Sequence, residues 1–176
     1  MPEDNQTPVP ESAPMEALEE ECAILPTDGL CPIIFMKLHP DAQTPTRGSK
    51  GAAGYDLHAY LKAPVTIRPF AVELIPTGLT FRLLPYQEIQ VRPRSGLANK
   101  HRVFIPNAPG TVDEDYHGEI MVGLYNGNPD ADFVVNPGQR IAQIIVSPVL
   151  PTKLVEQPYS PPTTERGGGG FGSTGM

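Results

Sequence analysis

The chain has 176 residues and a formal net charge of −7, with 22 prolines and 17 glycines. Proline removes a backbone donor and fixes φ, so this many of them excludes an architecture of long helices. No uncharged apolar run approaches the ~18 residues of a membrane-spanning helix, and no broad basic face of the kind a nucleic-acid duplex requires is visible.

Residues 1–30 hold eight acids and no Lys or Arg, interrupted by Pro2, Pro8, Pro10, Pro14 and Pro26. The remaining 146 residues carry all 13 basic groups and the other 12 acids, so the net charge belongs to this segment. Its composition cannot bury enough apolar surface to offset the entropy of ordering, which predicts a disordered acidic extension that could engage an unknown partner. No basic, then apolar, leader pattern is seen in the first 25 residues, so a non-secreted, intracellular protein of cytoplasm or nucleus is expected. The two cysteines, Cys22 and Cys31, stand nine apart with no metal-ligand spacing and read as thiols of a reducing compartment.

From residue 31 the texture changes to short β-branched and aliphatic runs broken by Pro, Gly and Asn. The runs are 33–38, 65–67, 71–75, 79–83, 88–91, 103–105, 119–125, 132–135 and 140–146. Leu79, Phe81 and Leu83 alternate with Thr80 and Arg82, and Ile120, Val122 and Leu124 repeat that period of two. Many short strands at this spacing predict an all-β sandwich or barrel over residues 31–150. One short helix fits 95–100, after Pro93. Residues 151–165 read as an extended Pro-rich arm. Residues 166–176, Arg-Gly-Gly-Gly-Gly-Phe-Gly-Ser-Thr-Gly-Met, cannot pack alone. They are either a flexible tail or a lid, because free glycine φ lets amides converge on an anion and Phe171 offers a stacking face to a base.

Four internal segments carry chemistry-bearing residues. Ala53–Leu57 (AGYDL) places Asp56 after a glycine turn. Arg94–Ala98 (RSGLA) puts a guanidinium and a hydroxyl at a helix start, as an anion site or, more plainly, with Ser95 as the N-cap. Asn107–Ile120 contains turn residues and the acids Asp113, Glu114 and Asp115, which are an acidic surface turn unless one of them activates water. Strand alternation would set Asp113 and Asp115 on one side and Glu114 on the other. Asn107 has the donors and acceptor needed to read a base edge, and Tyr116 could pack against a sugar. In Pro137–Gln143 (PGQRIAQ), Arg140 and Gln143 either point into a cleft or, for Arg140, pair with a surface acid.

In order, AGYDL, RSGLA, the block with VDEDYHGEI, PGQRIAQ and RGGGGFGSTG resemble the five motifs of the trimeric dUTP pyrophosphatase (dUTPase) family, over about residues 33–176. The resemblance implies a jelly-roll-like β-barrel, a homotrimer whose three active sites are each built from three chains, and Mg2+-assisted hydrolysis of dUTP to dUMP and pyrophosphate. That reaction keeps uracil out of DNA and supplies dUMP for thymidylate synthesis. By position, Asp113 resembles the general base that activates water for attack on the α-phosphorus. Arg94, Ser95, Gly96 and Gln143 look like phosphate binders, and Asn107 like the reader of uracil, completed by hairpin groups from Thr111 and Val112 to Met121. Tyr116 resembles the residue under the deoxyribose. Asp56 looks like an acid holding a metal-bound water, with the Mg2+ otherwise held by substrate phosphates. Arg166 would clamp the γ-phosphate, Phe171 would stack on uracil, and Gly172, Ser173 and Thr174 would cover the phosphates as a lid. Arg140 is left as a structural residue. A deaminase of the same fold, acting on a cytosine nucleotide, fits the Asp113–Tyr116 spacing and the Gly-rich tail less well.

Overall fold

The computed structural model describes residues 31–158; the acidic extension 1–30 and the tail 159–176, with Arg166 and Phe171–Thr174, lie outside the described residues. Eleven strands and one helix follow in order: β1 (Ile34–Lys37), β2 (Tyr55–His58), β3 (Val65–Ile67), β4 (Val72–Pro76), β5 (Leu79–Arg82), β6 (Gln87–Pro93), α1 (Ser95–His101), β7 (Val103–Phe104), β8 (Gly110–Val112), β9 (Met121–Asn126), β10 (Phe133–Val135) and β11 (Arg140–Pro148). All the pairing is antiparallel, in sheets ordered β1-β5, β10-β3, β2-β11-β6-β8 and β4-β9-β7. The chain is therefore all-β as expected. Among the described residues, however, the ladders remain four separate sheets and do not close into a barrel.

The predicted strands are found within a residue or three at their ends. Two were not foreseen: β2, which carries AGYDL, and β8, only three residues long inside a turn-rich block. In β9 and the residue before it the alternation holds: Ile120, Val122 and Leu124 are buried at 1–2% exposure while Met121 is exposed. In β5 it does not, for Leu79, Thr80 and Phe81 are all buried. Residues flanked by cover on both faces lose their polar face, and Thr80 satisfies its hydroxyl internally, as described below.

One apolar core joins the sheets, with Leu57, Ile67, Ile75, Leu79, Ile89 and Ile144 among its fully buried members. Burying side chains of this size is worth ~1.5–3 kcal/mol each. The helix is short because Arg102, at φ 57, ends it in a left-handed cap whose amide bonds back to Ala98. Its N-cap is Arg94 in an extended conformation with no side-chain cap bond, so Ser95 opens the helix and does not cap it. Residues 151–158 form neither strand nor helix and are exposed. No helix among the described residues is long and apolar enough to cross a membrane.

Candidate active site

The candidate residues gather in two places. The first is the mouth of the β8–β9 connection. β8 ends at Val112, so the strand alternation does not extend through the acids; Glu114 and Asp115 form a turn. A cleft of about 190 Å³ is lined by Thr111, Val112, Asp113, Tyr116, Glu119, Ile120 and Met121. An adjoining groove shares Thr111, Val112 and Met121 and continues to Asn107, Gly110, Ile105 and Val91. Asp113 and Tyr116 are both exposed at this mouth. Tyr116 folds back so that its hydroxyl donates to the Glu119 carbonyl at 2.9 Å, and its amide bonds to the Asp113 carbonyl at 3.2 Å. Gly118 makes room for this: a Cβ there would stand 2.5 Å from the tyrosine oxygen.

The loop is fastened to the body by side chains. Thr80 donates its hydroxyl to the His117 carbonyl at 3.0 Å, Thr77 to the Ile120 carbonyl at 2.7 Å, and the Gly78 amide donates to Glu119 Oε1 at 2.6 Å. Thr77 and Thr80 are two of the three buried polar residues among those described, the third being Asn126. A buried hydroxyl is tolerated when it is paired, and here the pairing restrains the cleft wall.

The second place lies on one face of the β2-β11-β6 sheet. The register pairs Gln143 with both Asp56 and Arg92, and Arg140 with His58. Paired residues share a face, as do residues two apart in one strand. Regular alternation would send Arg140 and Gln143, three apart, to opposite faces. A bulge between Arg140 and Ala142 removes that difference and brings both to the face of Asp56 and His58. Arg94 Nε then donates to Asp56 Oδ1 at 3.0 Å and Arg140 Nη1 to Asp56 Oδ2 at 3.1 Å. The Asp56 side chain is 14% exposed, against 27% for Arg94 and 52% for Arg140. One carboxylate thus orients two guanidinium groups and leaves the cluster one positive charge in excess, suited to an anion with several oxygens. Gln143 reaches the Pro93 carbonyl at 3.1 Å, beside this cluster.

His58 Nδ1 is buried without a hydrogen-bond partner among the described residues. Burial holds the imidazole below its ordinary pKa of 6.5, opposed by Asp56 and assisted by Arg140 and Arg94.

Sequence reasoning missed three features of these two places. Arg140, read as structural or as pairing with a surface acid, does pair with an acid, but that acid is Asp56, which it shares with Arg94. Glu119 lines the first cleft and anchors its loop. Thr80 of β5 and Thr77 of the turn before it fasten that loop from elsewhere in the fold. None has a local signal, since each depends on a pairing across 37 to 84 positions of sequence.

The base of the first cleft and Arg94 are set apart along the chain: Val112 pairs with Ile89, and Arg94, one residue past the end of β6, stands five residues beyond Ile89, about 16 Å at ~3.3 Å per residue.

The dUTPase family model matches residues 40–175. The chain is 43% identical over 143 residues to the deoxyuridine 5'-triphosphate nucleotidohydrolase of Leptospira interrogans, covering 81% of this chain and 98% of that protein. It is 52% identical over 134 residues to the Sinorhizobium medicae protein of the same description, covering 75% and 82%. In three dimensions it is similar to a variant of the Staphylococcus bacteriophage 80alpha dUTPase with dUpNHpp, at a TM-score of 0.70 and 22% identity over 82% of this chain and 99% of that one. The family match, spanning most of the chain, and these identities over nearly the whole length of the Leptospira relative agree with the five motifs read in order: the chain belongs to the dUTPase family.

Proposed function

We propose that the protein is a dUTP diphosphatase in which water, activated by Asp113, attacks the α-phosphorus of dUTP. A bond forms from the water oxygen to that phosphorus, the bond to the bridging oxygen breaks, and pyrophosphate leaves; Asp113 takes the water proton. The observation that carries this reading is the single cleft that unites Asp113 with Tyr116, Thr111, Val112 and Met121. A carboxylate that is exposed in the free protein is accessible to substrate water, and positioning in a closed complex supplies most of the required acceleration.

Asn107 and the backbone of the hairpin from Thr111 to Met121 read uracil, and the Tyr116 ring packs under the deoxyribose, where a ribose 2′-hydroxyl would not fit. Arg94, with Ser95, Gly96 and Gln143, binds the phosphates. Arg166 clamps the γ-phosphate, Phe171 stacks on the base, and Gly172, Ser173 and Thr174 complete the cover. The resulting reaction supplies dUMP and removes dUTP from the precursors of DNA.

The donor set fits a hard cation held mainly by substrate oxygens. Among the described residues no three His, Cys, Asp or Glu side chains stand together as a cage. Asp56 spends one lone pair of each oxygen on an arginine and keeps others for a water of the cation's shell. Bound Mg2+ neutralises phosphate charge as it develops.

A homotrimer with composite sites accounts for the ~16 Å between the two clusters: Arg94 of one subunit serves the hairpin cleft of its neighbour. The outward face of β4 and β9 supports such an assembly. Val72 and Leu74, at 49% and 66% exposure, share that face with Met121, and contiguous exposed apolar surface marks an association site.

The deciding experiment measures pyrophosphate release from dUTP, dTTP, dCTP and UTP with Mg2+. Release from dUTP alone is expected. Equal turnover of the four overturns the specificity assigned to Asn107, Tyr116 and the hairpin.

A further inference from the structure

The acidic run 113–115 contains a residue that the proposed mechanism does not use. Glu114 turns away from the cleft, and its Oε2 accepts from the Tyr86 amide at 2.7 Å. Tyr86 lies between β5 and β6 at φ 64. A bulky residue holds that left-handed conformation only where its surroundings over-determine it, and such outliers collect at functional sites. The other side of Tyr86 is held as well, since its carbonyl accepts from the Val149 amide at 2.8 Å, just past β11.

The loop that carries Asp113 is fastened unevenly. Its second half has the three bonds from Thr80, Thr77 and Gly78. For residues 113–115, the Glu114–Tyr86 bond is the single side-chain hydrogen bond to another part of the chain among the described residues. Asp113 stands one residue past the end of β8 and is closed locally by the Tyr116 amide, so without the Glu114 bond residues 113–115 have only β8 on one side and the Tyr116–His117 fastening on the other to fix their direction.

We propose that Glu114 is a positioning residue, which grips the amide of the strained Tyr86 turn and thereby aims the neighbouring Asp113 carboxylate at the attacking water. This rests on the base role given to Asp113 above. A charged acceptor suits the task because its bond to an amide is stronger than a neutral one. Catalytic geometry is steep, and a displacement of ~1 Å costs on the order of 10²-fold.

The test compares kcat and KM for dUTP, with Mg2+, in the full chain and four variants: Asp113→Asn, Glu114→Ala, Glu114→Gln, and Glu114→Ala combined with Tyr86→Gly. Glu114→Ala is expected to lower kcat about tenfold with KM within about twofold of the parent. Glu114→Gln, which keeps an acceptor oxygen, recovers most of the rate. In the double variant glycine takes the positive φ without cost, yet kcat stays low because the loop is still untied. Recovery of the parent rate by the double variant shows that the carboxylate serves only the turn, and overturns the proposal. A Glu114→Ala enzyme at parental kcat beside an inactive Asp113→Asn also overturns it and leaves the base assignment standing. An Asp113→Asn enzyme at parental rate instead overturns the base assignment itself, and the positioning role with it.

Discussion

Asp113 and Asp56 are both aspartates next to a strand end or turn, and their surroundings give them different work. Asp113 is exposed in a cleft beside Tyr116 and forms no ion pair among the described residues. Asp56 is spent on two arginines. Replacing Asp113 by asparagine keeps the shape and removes the proton acceptor; kcat is expected to fall by about 10²–10⁴-fold while a non-hydrolysable dUTP analogue still binds in calorimetry. His58 gives a pH expectation. Its folded-state pKa lies below 6.5 chiefly because burial disfavours the imidazolium. The unfolded chain therefore binds more protons around that pH, and stability declines as pH falls through and below 6.5. Thermal melts of the metal-free protein at falling pH show the effect as a drop in Tm, and His58→Gln reduces the slope.

The elements place these residues by non-local pairing. β8 holds the cleft's base through three pairs with β6, and β5 reaches under the loop with the Thr80 hydroxyl while the turn before it adds the Thr77 hydroxyl and the Gly78 amide. Thr80 is 3% exposed, so Thr80→Val strands the His117 carbonyl without its partner. A loss of about 1–3 kcal/mol in denaturant unfolding is expected, recovered by Thr80→Ser. The strand alternation in β9 was legible because its one face meets the core. In β5 the same pattern misled, since both faces are covered and a polar residue can sit inside when its hydroxyl has a carbonyl to meet. The bulge in β11 had no signature in PGQRIAQ, yet it decides that Arg140 joins Gln143 and Asp56.

At the scale of the whole molecule, the separation of Arg94 from Asp113 along β6 is the consequential distance. On the proposed composite-site reading, a site that needs both groups is completed by a neighbouring subunit. Subunits bearing Asp113→Asn and subunits bearing Arg94→Ala are each expected to be nearly inactive alone. Mixed after unfolding and refolded together, they are expected to regain activity, because some interfaces then join an intact Asp113 to an intact Arg94. Refolded mixtures with no more activity than either parent would show that each chain completes its own site.

By itself the sequence determined the all-β class, the acidic character of residues 1–30, and the family, because those rest on composition, period-two patterning and short motifs kept in order along the chain. AGYDL, RSGLA and VDEDYHGEI are local strings, and a local string is readable without knowing its neighbours in space. The tertiary structure alone decided that the sheets of the described residues stay open, that one aspartate is shared by Arg94 and Arg140, that Thr77 and Thr80 hold the cleft wall from beneath, and that Glu114 reaches Tyr86. Each of these depends on which backbone groups and charges a distant strand brings within ~3 Å, the reach of a hydrogen bond, and pairing across 28 to 84 residues leaves no mark in the order of the residues themselves.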